Sequence, residues 1–173
     1  MITKTYHSPL GAITMAADSR GLTGLWFEGQ KHFGSTLDAD GVPNGLGAAS
    51  AVLDYTWGWL DAYFAGHEPS YTPPLHLIGT PFRKEVWRVL QRIPRGQTVT
   101  YGWVAAEVER ARAAAGDTRR VTPRCVGGAV GANPVSIIVP CHRVISSDGS
   151  LTGYAAGIDV KWKLLALEGA KIF

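Results

Sequence analysis

The sequence predicts a mixed α/β protein: a small antiparallel sheet with one helix in the first half, and a helical second half. Three observations carry this. The runs "ITKTYHS", "GAITMAADS" and "GLTGLWFEG" are rich in β-type residues and punctuated by Ser-Pro, Asp and Gly. Thr-Pro pairs at 80–81 and 122–123 each open an apolar-periodic run, Thr as the N-cap and Pro at the first helical position. The charge also divides: residues 1–79 carry three Lys/Arg against seven Asp/Glu, and residues 80–173 carry fourteen against seven.

The elements follow in order. After the three strands, residues 28–47 are Gly-rich and polar and predict a loop. "AASAVLDYTWGWLDAYFAG" places Val52, Leu53, Tyr55, Trp59, Leu60 and Phe64 at near-helical spacing, with Gly66 to end the helix. "HEPSYTPPLHLIGTP" has the prolines of a connector, with a last sheet strand near Leu75–Ile78. This gives two domains, an N-terminal α/β domain at 1–79 and a helical one at 80–173. "TPFRKEVWRVLQRIP" puts Phe82, Val86, Val89, Leu90 and Ile93 on one helical face. The turn "PRGQTVT", the helix "YGWVAAEVERARAAA", the basic loop "GDTRRV" and the helix "TPRCVGGAVGANP" come next. "VSIIVP" reads as a short buried strand or extended segment, and "DVKWKLLALEG" as a last helix closed by Gly169. Trp87, Trp103 and Trp162 are expected in the core, and Lys161 and Lys163 in solvent.

Composition excludes several classes. At 173 residues, 46% hydrophobic and 18% charged, the chain can bury a real core and is not a disordered one. No apolar run approaches the ~20 residues of a membrane-spanning helix. "MITKTYHSPLG" has no signal-peptide core, so a cytoplasmic protein is expected. Two cysteines do not make a disulfide framework, and no Cys-x-x-Cys or His-x-x-x-His spacing offers a local metal site. His7, His32, His67 and His76 are expected to be ordinary surface or structural residues. The basic second half has the character of a phosphate-binding surface, or of a solvated face with no partner.

The chemistry concentrates at "IIVPCHRVISS", residues 137–147. Cys141 and His142 suggest a thiolate nucleophile with its base, yet chain neighbours do not face one another in a strand or a helix. One ordered water can relay a proton between side chains that diverge. Two helices, near 101–112 and 122–132, with a loop over 113–121 longer than usual, resemble a helix-turn-helix. Gly127 and Gly128 inside the second helix each cost ~1 kcal/mol relative to Ala. Either a neighbouring helix or a nucleic-acid groove would need that bare backbone. Arg124 stands at a helix N-terminus, where N–H groups already favour phosphate.

"PCHRV", preceded by "PRCVGGAVGANPVSIIV" and followed by "GYAAGIDVKWKLLALEG", resembles the signature of the O6-alkylguanine-DNA alkyltransferases, the methylated-DNA–protein-cysteine methyltransferases. The likeness covers about residues 80–170; in the first half only "SPLG" and "GLTGLWF" are similar to the family's N-terminal domain. The resemblance implies a small ribonuclease-H-like α/β domain followed by a helical domain with a helix-turn-helix and an active-site loop. It implies Cys141 as the alkyl acceptor, His142 as its activator through water, and Glu168 as the residue that orients His142. Asn133 would be the hinge, Tyr101 would hydrogen-bond the extruded base, and Arg124 would fill the vacated stack. Thr122, Gly127, Gly128 and Ala129 would line the DNA-facing helix, with Arg119 and Arg120 as extra phosphate contacts or merely a solvated insertion. Tyr154 would wall the base pocket, the Ala155 N–H would face the guanine oxygen, and the carbonyls of Cys141 and Val144 would read the exocyclic amine. The implied partner is double-stranded DNA carrying O6-alkylguanine, or O4-alkylthymine, met by a monomer that needs no cofactor, metal or membrane.

The chain departs from the family pattern at three places: Cys125 stands where Ala is usual and is expected to pack, the inter-helix loop is long, and Ala155 and Ala156 replace polar or Gly residues. Two other readings are a non-catalytic lesion binder, against which Cys141 argues, and a DNA-binding regulator using Cys141 as a sensor, for which the chain offers no dimerisation segment.

Overall fold

The computed structural model describes residues 1–39 and 46–172. Its contacts divide the chain into two compact units, Met1–Ile78 with Pro134–Ile138, and Gly79–Asn133 with Val139–Phe173.

In the first unit β1 (Ile2–Ser8), β2 (Gly11–Ala17) and β3 (Leu22–Phe27) form an antiparallel meander in the order β1-β2-β3. Tyr6 faces Ile13 across β1 and β2, and Ile13 faces Phe27 across β2 and β3; all three side chains are buried. Helix α1 (Leu46–Phe64) packs on this sheet through Val52, Leu53, Thr56, Trp59, Leu60 and Tyr63. It begins inside the segment expected to be loop; residues 28–39 are turns, and 40–45 lie outside the described residues.

No strand forms at 75–78. Leu75 makes a single parallel bridge to Leu22, where Leu22 N donates to Pro74 O (2.7 Å) and His76 N donates to Leu22 O (2.9 Å). Pro73 and Pro74 supply no N–H to extend such a ladder. A side-chain contact pins the connector instead: His76 Nδ1 lies 2.6 Å from Oδ2 of the buried Asp18. Segment 134–138 is not a strand either. Val135 bridges Leu25, and a turn follows in which Ile137 adopts φ +69°, a left-handed conformation rarely taken by a β-branched residue.

The second unit contains α2 (Pro81–Leu90), α3 (Tyr101–Ala114), α4 (Pro123–Gly131) and α5 (Ile158–Leu167). Thr80, Thr100 and Thr122 cap the first three, each side-chain oxygen accepting a backbone N–H of the first turn. β4 (Val99–Thr100) and β5 (Val144–Ile145) pair in parallel. Trp87 ties α2 to α4 by donating from Nε1 to the Ala129 carbonyl (2.9 Å), and Gly79 leaves room for the indole, since a Cβ there would fall 2.5 Å from it. Trp103 and Trp162, expected in the core, are 39% and 51% exposed. They lie beside, not on, the buried stripes Val104/Ala105/Val108 and Lys161/Leu164/Leu165.

Trp87→Phe is expected to destabilise the protein by about 1–3 kcal/mol, because the buried Ala129 carbonyl loses its donor. Urea unfolding of the two proteins at neutral pH measures it.

Candidate active site

The site is built on one short irregular stretch and the end of one helix, all within the second unit. Pro140 precedes a 3-10 turn, Cys141–Arg143, in which successive side chains diverge by about 120°. Cys141 and His142 therefore point different ways. Cys141 retains 5% of its surface and His142 none. The Cys141 N–H donates to Val139 O (2.8 Å). Asn133, 4% exposed, donates from Nδ2 to the same carbonyl (2.7 Å) and hydrogen-bonds the Cys141 side chain. One amide thus closes the 134–138 excursion and seats the sulfur at its exit.

Glu168 caps the C-terminal end of α5, and Gly169 (φ +73°) turns the chain away. A carboxylate is disfavoured at the negative end of a helix dipole. Three donors offset this. His142 Nε2 lies 2.7 Å from Oε1; Arg143 donates from Nη2 to Oε1 (2.9 Å) and from Nε to Oε2 (2.9 Å). Arg143 also donates from Nη1 to Ile93 O (2.6 Å). Burial alone would raise the Glu168 carboxyl, but hydrogen bonds from His142 and Arg143 and the charge of Arg143 hold it well below the usual carboxylate range. Burial lowers the His142 imidazole despite Glu168, so it stays neutral at pH 7. With Nε2 donating to Glu168, Nδ1 is the proton-accepting nitrogen, and it has no partner among the described residues.

Burial pushes the Cys141 thiol up; Asn133, the Lys161 charge and the N–H groups of Cys141 and His142 pull against this without reversing it. The resting group is a thiol, and chemistry at the sulfur needs a base. Tyr101 donates to the Thr152 carbonyl (3.3 Å). Burial and the charge of Cys141 raise its phenol, which remains a donor close to the sulfur. Tyr154, 9% exposed, sets its ring edge-on to His142 with centroids 6.5 Å apart, and Ala155 follows it half-buried.

The structure sets two hydrogen-bonded pairs, Asn133 with Cys141 and His142 with Glu168, on adjacent residues of one turn, with Tyr101, Val144 and Tyr154 beside them. Thr122, Arg124 and Gly128 lie on the exposed side of α4 and Gly127 is half-exposed. A Cβ on either glycine would meet nothing within 4 Å among the described residues, so no described helix accounts for them. Ala129 does not belong to that face: it is 3% exposed and its carbonyl holds Trp87. Cys125, expected to pack, is exposed. Arg119 and Arg120 are exposed, Arg119 paired with Asp117 (2.7 Å) and Arg120 3.7 Å from Glu109.

Two residues escaped the sequence reading. Arg143 has no local signal, because its partner lies 25 residues away. Lys161 is fully buried rather than solvated, and its spacing was a signal: 161, 164, 165 and 168 form one helical face whose other members are buried. Among the described residues no group of three or more His, Cys, Asp or Glu could hold a metal ion, and no helix is long and apolar enough to cross a membrane.

Fold and site define a class: an α/β protein with a buried cysteine nucleophile beside a histidine–carboxylate pair, next to two capped helices. Comparison with known proteins makes this particular. Residues 1–77 match the ribonuclease-like domain of 6-O-methylguanine DNA methyltransferase, and residues 81–170 match its DNA binding domain. The chain is 40% identical over 166 residues to the methylated-DNA–protein-cysteine methyltransferase of Methanosarcina acetivorans, covering 95% of this chain and 96% of that one. It is 41% identical over 165 residues to that of Mycolicibacterium paratuberculosis, covering 95% and 90%. Among solved structures, Mycobacterium tuberculosis OGT in complex with DNA is similar with a TM-score of 0.76 and 38% identity, covering 96% of this chain and 92% of that one. The chain belongs to the 6-O-methylguanine DNA methyltransferase family.

Proposed function

We propose that this protein repairs DNA by moving the alkyl group of O6-alkylguanine onto Cys141, once per molecule. One observation carries the proposal: a buried thiol next to a neutral imidazole whose Nε2 is fixed by Glu168 and whose Nδ1 is free to accept. The thiol proton passes to Nδ1 through a bridging water. The thiolate attacks the alkyl carbon, an S–C bond forms, and the C–O6 bond breaks with its electron pair leaving on guanine. Tyr101 donates to the departing base, which leaves neutral after taking up the proton. The thioether is stable and the cycle ends there. No step calls for a cofactor.

The target atom is inside the duplex, so the nucleotide must be flipped out at a cost of a few kcal/mol. Arg124 at the N-terminus of α4 takes the vacated stack, and the bare backbone at Gly127 and Gly128 lets the helix enter the minor groove. Arg119 and Arg120 are positioned to exchange carboxylate partners for phosphates. In this reading residues 80–173 hold the chemistry and DNA contacts, residues 1–79 form the accompanying α/β domain, and the protein works as a cytoplasmic monomer.

Mass spectrometry after mixing with a duplex carrying O6-methylguanine tests this. One methyl group is expected on the Cys141 peptide and none in Cys141→Ala. Tight lesion binding with unchanged mass would overturn transfer in favour of a non-catalytic binder.

A further inference from the structure

Lys161 is a buried charged group with no part in the proposed transfer. It is fully buried on α5, and among the described residues no carboxylate lies within ion-pair distance of it. Its Nζ donates to Val144 O (2.5 Å) and to Thr152 O (3.0 Å). Burial lowers the ammonium to about 8, opposed by the charge of Cys141. Withdrawing an ammonium from water onto two neutral carbonyls is costly unless the position of those carbonyls matters.

Both carbonyls belong to segments tied to Cys141 or Tyr101. Val144 opens β5, which pairs with β4 directly before Tyr101, and its N–H donates to the Cys141 carbonyl. Thr152 O also accepts the Tyr101 hydroxyl, and the Thr152 side chain meets Ser146 Oγ (2.5 Å). One ammonium therefore joins the segment after the nucleophile, the loop at 152 and the tyrosine. A carbonyl has two lone pairs. Lys161 takes one at Val144 and leaves the other for a base.

We propose that Lys161 is a positioning residue for base recognition: it fixes the Val144 and Thr152 carbonyls so that the pocket distinguishes guanine from a base lacking the exocyclic amine. The inference rests on the reading of Val144 as the acceptor for that amine. Its test compares transfer rates on duplexes carrying O6-methylguanine and O6-methylhypoxanthine, which has the same methyl group and no 2-amino group. The wild type is expected to favour guanine about tenfold, the worth of one well-placed hydrogen bond. Lys161→Met, similar in length but without donors, brings the ratio to within about twofold of unity.

A structural role would slow both duplexes equally and leave the ratio unchanged in Lys161→Met, which overturns the inference. A wild type that methylates Cys141 without preferring guanine overturns the reading of Val144 and the inference with it. Absence of methylation from either duplex would instead sink the proposed function. If Lys161→Met does not fold, the wild type still decides: NMR couplings across the hydrogen bonds from Lys161 Nζ to the Val144 and Thr152 carbonyls are expected, and their absence overturns the inference.

Discussion

Glu168→Gln is expected to slow alkyl transfer by about a hundredfold or more and to destabilise the fold by about 3–5 kcal/mol. The side chain of Glu168 is fully buried and accepts from His142 and from two nitrogens of Arg143. An amide has one acceptor oxygen, and its NH2 must then face a donor. The Arg143 guanidinium, whose side chain is 12% exposed, keeps its charge and loses its counterion. The loss reaches chemistry through tautomerism, because without a carboxylate on Nε2 the imidazole is no longer held with Nδ1 as the acceptor. The folded carboxyl is depressed, so its stabilisation is present above the ordinary Glu value of about 4.3 and is lost as pH falls below it. The stability gap between wild type and variant is therefore expected to be full at pH 7 and to narrow below about pH 4. Urea titrations at the two pH values, with single-turnover transfer rates at neutral pH, check both halves. A variant with wild-type rate would remove Glu168 from the mechanism.

What the sequence made legible is what depends on near neighbours. Thr80 and Thr122 before Pro81 and Pro123 announce helix starts because the cap and the constrained φ act within one turn. The three strands are legible because Ser8-Pro9, Asp18 and Gly21 break the chain between them. The cysteine–histidine–glutamate constellation was legible through resemblance; spacing alone does not bring Glu168 to a histidine 26 positions earlier. The misses have a common cause. "VSIIVP" is apolar but for Ser136, which says that it is buried and nothing of its backbone path; no hydropathy pattern signals the left-handed Ile137. At 75–78 the apolar residues suggested a strand, but pairing is a property of the partner, and Leu22 offers one bridge. Lys161 and Ala129 were misplaced by residue type, the one as a charge and the other as a small residue near Arg124, although helical phase assigns both to buried faces.

His142→Phe separates proton transfer from positioning. The ring volume is kept and Arg143 still holds both oxygens of Glu168, so the base is lost together with one of the three donors to that carboxylate. Transfer at pH 7 is expected to fall by about 10²–10⁴-fold. The shape of the pH profile changes as well. In the wild type the imidazole is lowered by burial, so it remains a competent acceptor across neutral pH and fails only on the acid side, below the ordinary value of about 6.5. The wild-type rate is therefore flat near neutrality and declines in acid. In the variant the buried thiol, raised above its usual range, must lose its proton to hydroxide, and the rate climbs about tenfold per pH unit through neutrality. Stability gives a second readout with a definite sign. A histidine depressed in the folded state contributes stability that is present above about 6.5 and is lost as pH falls through and below that value. His142→Phe removes this component and leaves the lower one from Glu168, so the acid limb of its unfolding curve starts nearer pH 4 than pH 6. A variant that keeps the flat wild-type rate profile would show that His142 orients Cys141 without taking its proton, and the base would have to be sought elsewhere around the sulfur.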